Sequence, residues 1–566
     1  MNEKKAGPTV AAAYLALLAD REVDYLFGNA GTDFAPIIEA YAEAMQNGTP
    51  VPRPILAAHE NTAVTMAHGY AMLSRKMPAV MVHVSVGTAN MICAAMNASR
   101  ENVAILLTAG RSPLTEKGMP GARDGYIHWA QELYDQSGML REIVKWDYEL
   151  RNGEQLETVV DRAIAIAQSE PKGPVYLSLP REVIAAPAAR PKPSPRRLYA
   201  ASPAAPDAGA ITAAAAMLSG AKMPLIVAAN AGRDPAVFDA LADFADRFAI
   251  PVVQHKPRYL SLASSHAMNV GYSPEKVVGE ADLALVLESD VPWIPTLAEP
   301  KPDCKVIQCG LDPLFSRIPI RGFACDLGIT ASTAATLTAL SGALEGKLDA
   351  TVVSARRARV EKMRTAMHAE WKSAREAGGR EMPMRMAWVS HCLAQAKDPR
   401  TIVVNEYTLE LEHCSFEHAD SYFGASSASG LGWGPGAALG AKIAAPGRPV
   451  VAVVGDGAFM FSNPAAVHHA AAMHELPVLF VVMNNARWNA VRHSTLSMYP
   501  DGKASKSNSA PFMQLENLPA FEQICEAAGG YGERVEDPAT LPQAFERAMA
   551  VIRDEKRQAL LNVMCA

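Results

Sequence analysis

The chain has 566 residues, too long for one hydrophobic core and suited to about three or four domains. Its composition, 49% apolar and 20% charged, is that of a soluble globular protein, and a net charge of −6 argues against nucleic acid or an anionic membrane as partner. No apolar run reaches the roughly 18–20 residues of a membrane span, and the eight cysteines are scattered without a CxxC pair, which fits a reducing cytoplasm.

In chain order, Lys4-Lys5 and the apolar stretch 10–19 imitate a signal peptide, but Asp20-Arg21 follow directly and a strand-like piece, 23–27, continues a folded pattern. Short, β-branched apolar runs then alternate with Ala-rich helical stretches. The runs at 79–85, 103–109, 175–179, 225–229, 284–288, 305–309, 402–405, 450–454 and 478–483 read as buried parallel strands of βαβ units. The Pro- and Ala-rich stretch 185–208, with Arg190-Pro191-Lys192-Pro193, reads as an extended linker. The stretch 342–382 is charged and helical in composition. These joints divide the chain into three doubly wound α/β domains, at 1–184, 209–341 and 380–566.

Two strand ends carry chemistry. The run 450–454 leads into Gly455-Asp456-Gly457, and the run 478–483 leads into Asn484-Asn485. Open α/β sheets bind ligands at such carboxyl ends. The glycines let backbone approach a phosphate, while Asp and Asn offer the hard oxygen donors that Mg²⁺ takes. Either piece alone would be explained by a turn; the pair, each after an apolar strand, points to a metal–diphosphate anchor.

The segment from Gly455 to Asn485 resembles the cofactor signature of thiamine-diphosphate-dependent enzymes of the benzoylformate decarboxylase and acetolactate synthase type. The resemblance implies thiamine diphosphate and Mg²⁺ as cofactors, with Asp456, Asn485 and the main-chain oxygen of Arg487 on the metal. It implies domains ordered as pyrimidine-binding, middle and diphosphate-binding. Gly455, Gly457 and Ala458 would lie against the diphosphate.

Other segments carry the same resemblance. Ala58-His59-Glu60, with Ala67-His68-Gly69-Tyr70-Ala71, is similar to the family's catalytic glutamate and its helix, which makes Glu60 the carboxylate at the aminopyrimidine. Gly28-Asn29-Ala30-Gly31-Thr32 and the segment from Val82 to Asn90 resemble the pieces that bring a small hydroxyl residue and a histidine to substrate in benzoylformate decarboxylase. That implies catalytic roles for Thr32 and His83, with Asn29 in the pocket. Tyr407-Thr408 and Gly430-Leu431 would complete the cofactor site, Leu431 as the apolar support beneath it. Trp488, Ala490, His493 and Ser494 would line the substrate pocket.

The second histidine of benzoylformate decarboxylase has no counterpart, since the comparable stretch reads Ser289-Asp290-Val291-Pro292-Trp293. The glycines at 430, 432, 434 and 436 imitate a dinucleotide fingerprint but follow no apolar strand. His468-His469 and His474-Glu475 lack zinc-site spacing and fit the helix after the anchor. The implied reaction is decarboxylation of a 2-oxo acid through an enamine that is protonated to an aldehyde. The alternatives are an acetolactate-synthase-like carboligase, an acyloin or 2-hydroxyacyl-CoA lyase and, from another class, a non-catalytic cofactor-binding subunit. A homodimer or homotetramer follows, because the resemblance places Glu60 of one subunit against Asp456 of another.

Overall fold

Buried β-branched strands joined by helices leave the backbone one economical arrangement, a parallel sheet covered on both faces. A computed structural model describes residues 7–189 and 193–566, and it contains three such sheets. The first holds β1 (Tyr25–Gly28), β2 (Arg53–Leu56), β3 (Ala79–Val82), β4 (Leu106–Arg111), β5 (Asp147–Glu149) and β6 (Val175–Pro180), in the order β2-β1-β3-β4-β6-β5. The second holds β7 (Pro224–Ala228), β8 (Val252–Gln254), β9 (Leu283–Leu287), β10 (Lys305–Gly310) and β11 (Leu327–Thr330), ordered β11-β10-β9-β7-β8. The third holds β12 (Ile402–Glu406), β13 (Tyr422–Gly424), β14 (Val450–Gly455), β15 (Leu479–Asn484), β16 (Tyr531–Val535) and β17 (Ala559–Met564), ordered β13-β12-β14-β15-β17-β16. The first and third sheets thus share one strand order.

All six strands at the sheet edges (β2, β5, β8, β11, β13 and β16) were absent from the sequence expectation. Edge strands are short and several are half-exposed, so they lack the continuous apolar run that marks an interior strand. The interior strand β17 was also missed; its apolar run is broken by Asn562, which accepts a hydrogen bond from Asn484 Nδ2 at 3.1 Å. One expected strand is too long. The run 79–85 stops at Val82, and His83 instead caps the Val84–Arg100 helix.

The first and third units share one hydrophobic core, in which the Glu60–Ser74 helix packs along the Trp433–Ala444 helix. Glycine makes this seam close. A Cβ on Gly69 would collide with the Ala437 carbonyl, one on Gly436 with Thr65 Oγ1, and one on Gly440 with the Met66 carbonyl. The glycine row that imitates a dinucleotide motif is therefore in part a packing stripe. The charged stretch around 342–382 is mostly one helix, Ala350–Gly378, laid on the middle unit. There Val360 is buried, and Arg356 donates to the carbonyls of Phe248 at 3.2 Å and Leu218 at 3.1 Å.

Of the 185–208 linker, residues 190–192 lie outside the described ones, as do Lys4-Lys5; its described part is irregular except at the adjoining helix ends. The apolar stretch 10–19 belongs to a helix, Val10–Asp20, buried in the first unit. No described helix is long and apolar enough to cross a membrane.

Candidate active site

The carboxyl ends of β1, β2 and β3 meet around Glu60. Glu60 is the first residue of its helix, where a carboxylate is favoured by the helix dipole, and only 6% of it is exposed. Both of its oxygens are held by side-chain amides. Asn29 Nδ2, just beyond β1, donates to Oε1 at 3.0 Å, and Asn90 Nδ2, from the Val84–Arg100 helix, donates to Oε2 at 3.1 Å.

His83 follows β3 and stands within electrostatic reach of Glu60. Its Nδ1 lies 2.5 Å from Oδ1 of Asp33, a buried carboxylate on the short Thr32–Phe34 turn. The other Asp33 oxygen accepts from Val84 N at 3.3 Å, which satisfies the start of the following helix. The Asp33 contact raises the His83 imidazole above its ordinary range, with burial opposing it and the fields of Asp33 and Glu60 adding to it. His83 Nε2 lies 3.3 Å from the Gln131 amide. Thr32 itself is exposed.

The second cluster forms where β14 and β15 end side by side, Gly455 opposite Met483. Asp456 begins the Asp456–Phe461 helix, and its Oδ1 accepts from Gly457 N at 2.7 Å. Its Oδ2 accepts from Asn485 N at 3.2 Å, and Asn485 Oδ1 accepts from Arg487 N at 3.0 Å. Burial pushes the Asp456 carboxyl up, against the pull of the surrounding backbone N–H groups. Trp488 lies over Gly457, where any Cβ would strike its ring, and it packs edge-on against Phe461 at 5.7 Å. Ala490, His493 and Ser494 stand exposed on the Asn489–Met498 helix, none of whose residues is buried.

Between the clusters runs the loop after β12. Tyr407 takes a left-handed φ of 73°, and its hydroxyl lies 3.1 Å from the Ser426 carbonyl and 2.5 Å from Ser429 Oγ. Gly430 is clasped by Asn97 of the first unit, donating to its Oδ1 at 3.0 Å and accepting from its Nδ2 at 2.8 Å. Leu431 is half-buried beside it. Buried Glu406 accepts from Gly432 N and Gly434 N, each at 2.7 Å, and burial lifts its carboxyl to about 7. Thr408 Oγ1 is buried without a hydrogen-bond partner among the described residues, and Thr408 lies against Gly455.

Comparison with known proteins places this arrangement. The N-terminal TPP binding domain, the central domain and the C-terminal TPP binding domain of thiamine pyrophosphate enzymes match residues 8–139, 211–340 and 406–563. The chain belongs to the thiamine-diphosphate-dependent enzymes. It is 27% identical to a sulfoacetaldehyde acetyltransferase of Rhodobacter capsulatus, over 96% of this chain and 92% of that protein. It is 26% identical to a benzoylformate decarboxylase of Pseudomonas aeruginosa, over 96% and 97%. A thiamine diphosphate-dependent 4-hydroxybenzoylformate decarboxylase of Rhodococcus jostii has the same fold, with a TM-score of 0.78 at 21% identity, covering 98% of this chain and 99% of that one.

The residues suit the family's cofactor. Thr408 Oγ1 is an unsatisfied hydroxyl beside a glycine at a strand end, a place where a diphosphate oxygen can be received. Asp456 and Asn485 bring a carboxylate and an amide oxygen to adjacent strand ends, the donor types that Mg²⁺ takes. The structure brings Glu60, Asn29 and His83 together, and separately Asp456, Gly457, Asn485, Arg487 and Trp488. Among the described residues no hydrogen bond or ion pair joins the two groups within one chain. The sequence reading missed Asp33, Asn90 and Gln131. A signal existed for Asp33 in its glycine neighbours, because a Cβ on Gly31 would strike the His83 ring and one on Gly110 would strike the Asp33 carboxylate.

Proposed function

We propose that this thiamine-diphosphate-dependent enzyme decarboxylates a 2-oxo acid and releases the aldehyde, working as a cytoplasmic homodimer or homotetramer with Mg²⁺. The observation that carries this reading is an imidazole raised by Asp33 within electrostatic reach of a doubly held Glu60, because decarboxylation to an aldehyde consumes one proton per turnover. Bound thiamine diphosphate supplies the electron sink for the carbanion left by CO₂.

The chain's residues do the rest. Asp456, Asn485 and the Arg487 carbonyl would hold the metal, and Gly455, Gly457, Ala458, Tyr407, Thr408 and Gly430 would hold the cofactor, with Leu431 as its apolar support. Glu60 holds a proton at a ring nitrogen of the aminopyrimidine. His83 exchanges a proton with substrate, Thr32 and Asn29 face it, and Trp488 and Phe461 exclude water. Ala490, His493 and Ser494 border the acid's side chain. The two-subunit arrangement is supported by the separation of the clusters and by apolar side chains left exposed near them, such as Phe461 at 57% and Val86 at 48%.

A second reading, transfer of the acyl fragment to an acceptor, is favoured by the likeness to an acetyltransferase and by the polar Asn489–Met498 helix. A panel of 2-oxo acids assayed for CO₂ and aldehyde, with and without an acceptor aldehyde, 2-oxo acid or phosphate, separates the two. Free aldehyde, unchanged in yield by acceptors, is the expected result. Product formed only when an acceptor is present would replace the decarboxylase with the transferase.

A further inference from the structure

His83 meets a carboxylate on one side only. Its Nδ1 edge meets Asp33 at 2.5 Å, and its Nε2 edge points away from that carboxylate towards the Gln131 amide at 3.3 Å. Asp33 is 3% exposed, while 17% of the His83 side chain remains accessible, so the pair has a closed end and an open end. The geometry is built in rather than incidental. Asp33 is anchored a second time by Val84 N, and two glycines, Gly31 and Gly110, leave the only room in which the carboxylate and the ring can meet. Ser85 Oγ donates to the Gln131 carbonyl at 2.7 Å, which ties the segment carrying Gln131 to the helix that His83 caps.

We propose that Asp33 is a positioning residue that acts through His83: its carboxylate accepts a hydrogen bond from Nδ1–H, so the Nε2 edge, steadied by Gln131, carries the proton exchanged with substrate. The assignment rests on the decarboxylase reading for its substrate but not for its geometry. In the neutral ring Nδ1–H donates to Asp33, Nε2 is left as an acceptor, and the Gln131 amide donates to it. Protonation from water adds Nε2–H, and the Gln131 side chain turns its amide oxygen to that edge to accept from it. Delivery of that proton to the substrate-derived carbon returns the ring to neutral, which matches the one proton consumed when RCOCOO⁻ becomes RCHO and CO₂. The charged groups acting on the ring are Asp33 and Glu60, both anionic when ionised, and both favour its protonated form. Tyr176 lies in the field of Asp33 but is neutral, its hydroxyl held by Thr88 and Gln136.

Two readouts test this on the full-length enzyme. The first is NMR of ¹⁵N- and ¹³C-labelled histidine in the cofactor-free protein, with His83 assigned through the signal lost in His83→Gln. The neutral ring should be the Nδ1–H tautomer, with a midpoint above the ordinary value of about 6.5. In Asp33→Asn the midpoint should fall by about one unit or more, a tenfold drop in protonated fraction above it. Asp33→Glu should restore part of that shift. An Nε2–H tautomer, or an ordinary midpoint in the wild-type protein, overturns the proposal whether or not the Asp33 variants fold.

The second readout is the pH profile of CO₂ release. Asp33→Asn is expected to lower kcat about 10- to 100-fold with KM within about twofold, the loss growing on the alkaline side. A uniform loss at every pH would mark Asp33 as merely structural and overturn the role assigned to it. If no 2-oxo acid yields CO₂, the decarboxylase reading fails, while the tautomer and the midpoint still decide the pair.

Discussion

The first and third sheets have the same strand order, yet the proposed reaction asks different chemistry of each. In each, the third strand ends at the start of a helix with an ionisable side chain: His83 after β3 and Asp456 after β14. In each, the edge strand is followed by a helix, Glu60–Ser74 or Trp433–Ala444, and these two helices pack on one another. The third sheet holds its carboxylate with backbone N–H groups, Gly457 N after the same strand and Asn485 N after the neighbouring one. The first holds Glu60 and His83 with side chains drawn from several segments, Asn29, Asp33, Asn90 and Gln131. A metal site needs fixed oxygens, which backbone supplies locally. An acid–base site needs groups whose protons move, and only side chains brought together by the fold supply those.

The largest effect is expected where the third sheet is broken. Asp456→Ala should remove metal-dependent cofactor binding and lower activity by about 10³-fold or more, as should chelation of Mg²⁺ from the wild-type enzyme. Calorimetry with thiamine diphosphate, with and without Mg²⁺, checks this. Tight cofactor binding by the variant would remove the anchor role. Next comes the first sheet. Glu60→Gln should leave cofactor affinity within about twofold and lower kcat about 10²- to 10⁴-fold. Equal loss of binding and turnover would erase the distinction drawn between the two sheets. The smallest effect belongs to a supporting amide. Asn90→Ala removes one of two hydrogen bonds to a buried carboxylate, worth about 1.5–3 kcal/mol, and should lower kcat about tenfold with little change in the thermal midpoint. An unchanged kcat would show that Asn29 alone holds Glu60.

Legibility followed the same divide. Gly455-Asp456-Gly457 and Asn484-Asn485 are contiguous motifs after apolar strands, so local pattern sufficed to single them out. Glu60 and His83 were singled out through the segments around them. Asn90 lies in the His83 segment and Asp33 directly follows the segment ending at Thr32, but both declare their roles only when folded, and Gln131 lies on a loop with no apolar pattern at all. The glycines at 432, 434 and 436 imitate a phosphate motif in form alone, since glycine permits close backbone approach equally to a phosphate, a carboxylate or another helix. Here Gly434 packs near Glu406 and Gly436 against Thr65.

The sequence by itself determined three parallel-sheet units, the cofactor class and the side chains that strand ends would present. Interior strands, β17 excepted, and glycine-bearing strand ends are set by local pattern, which a chain carries wherever it folds. Tertiary structure alone decided which strands form the edges, that the first and third units share one core across a glycine seam, and that His83 is paired with Asp33. Those outcomes depend on contacts between segments far apart in the chain, and no local run of residues encodes them.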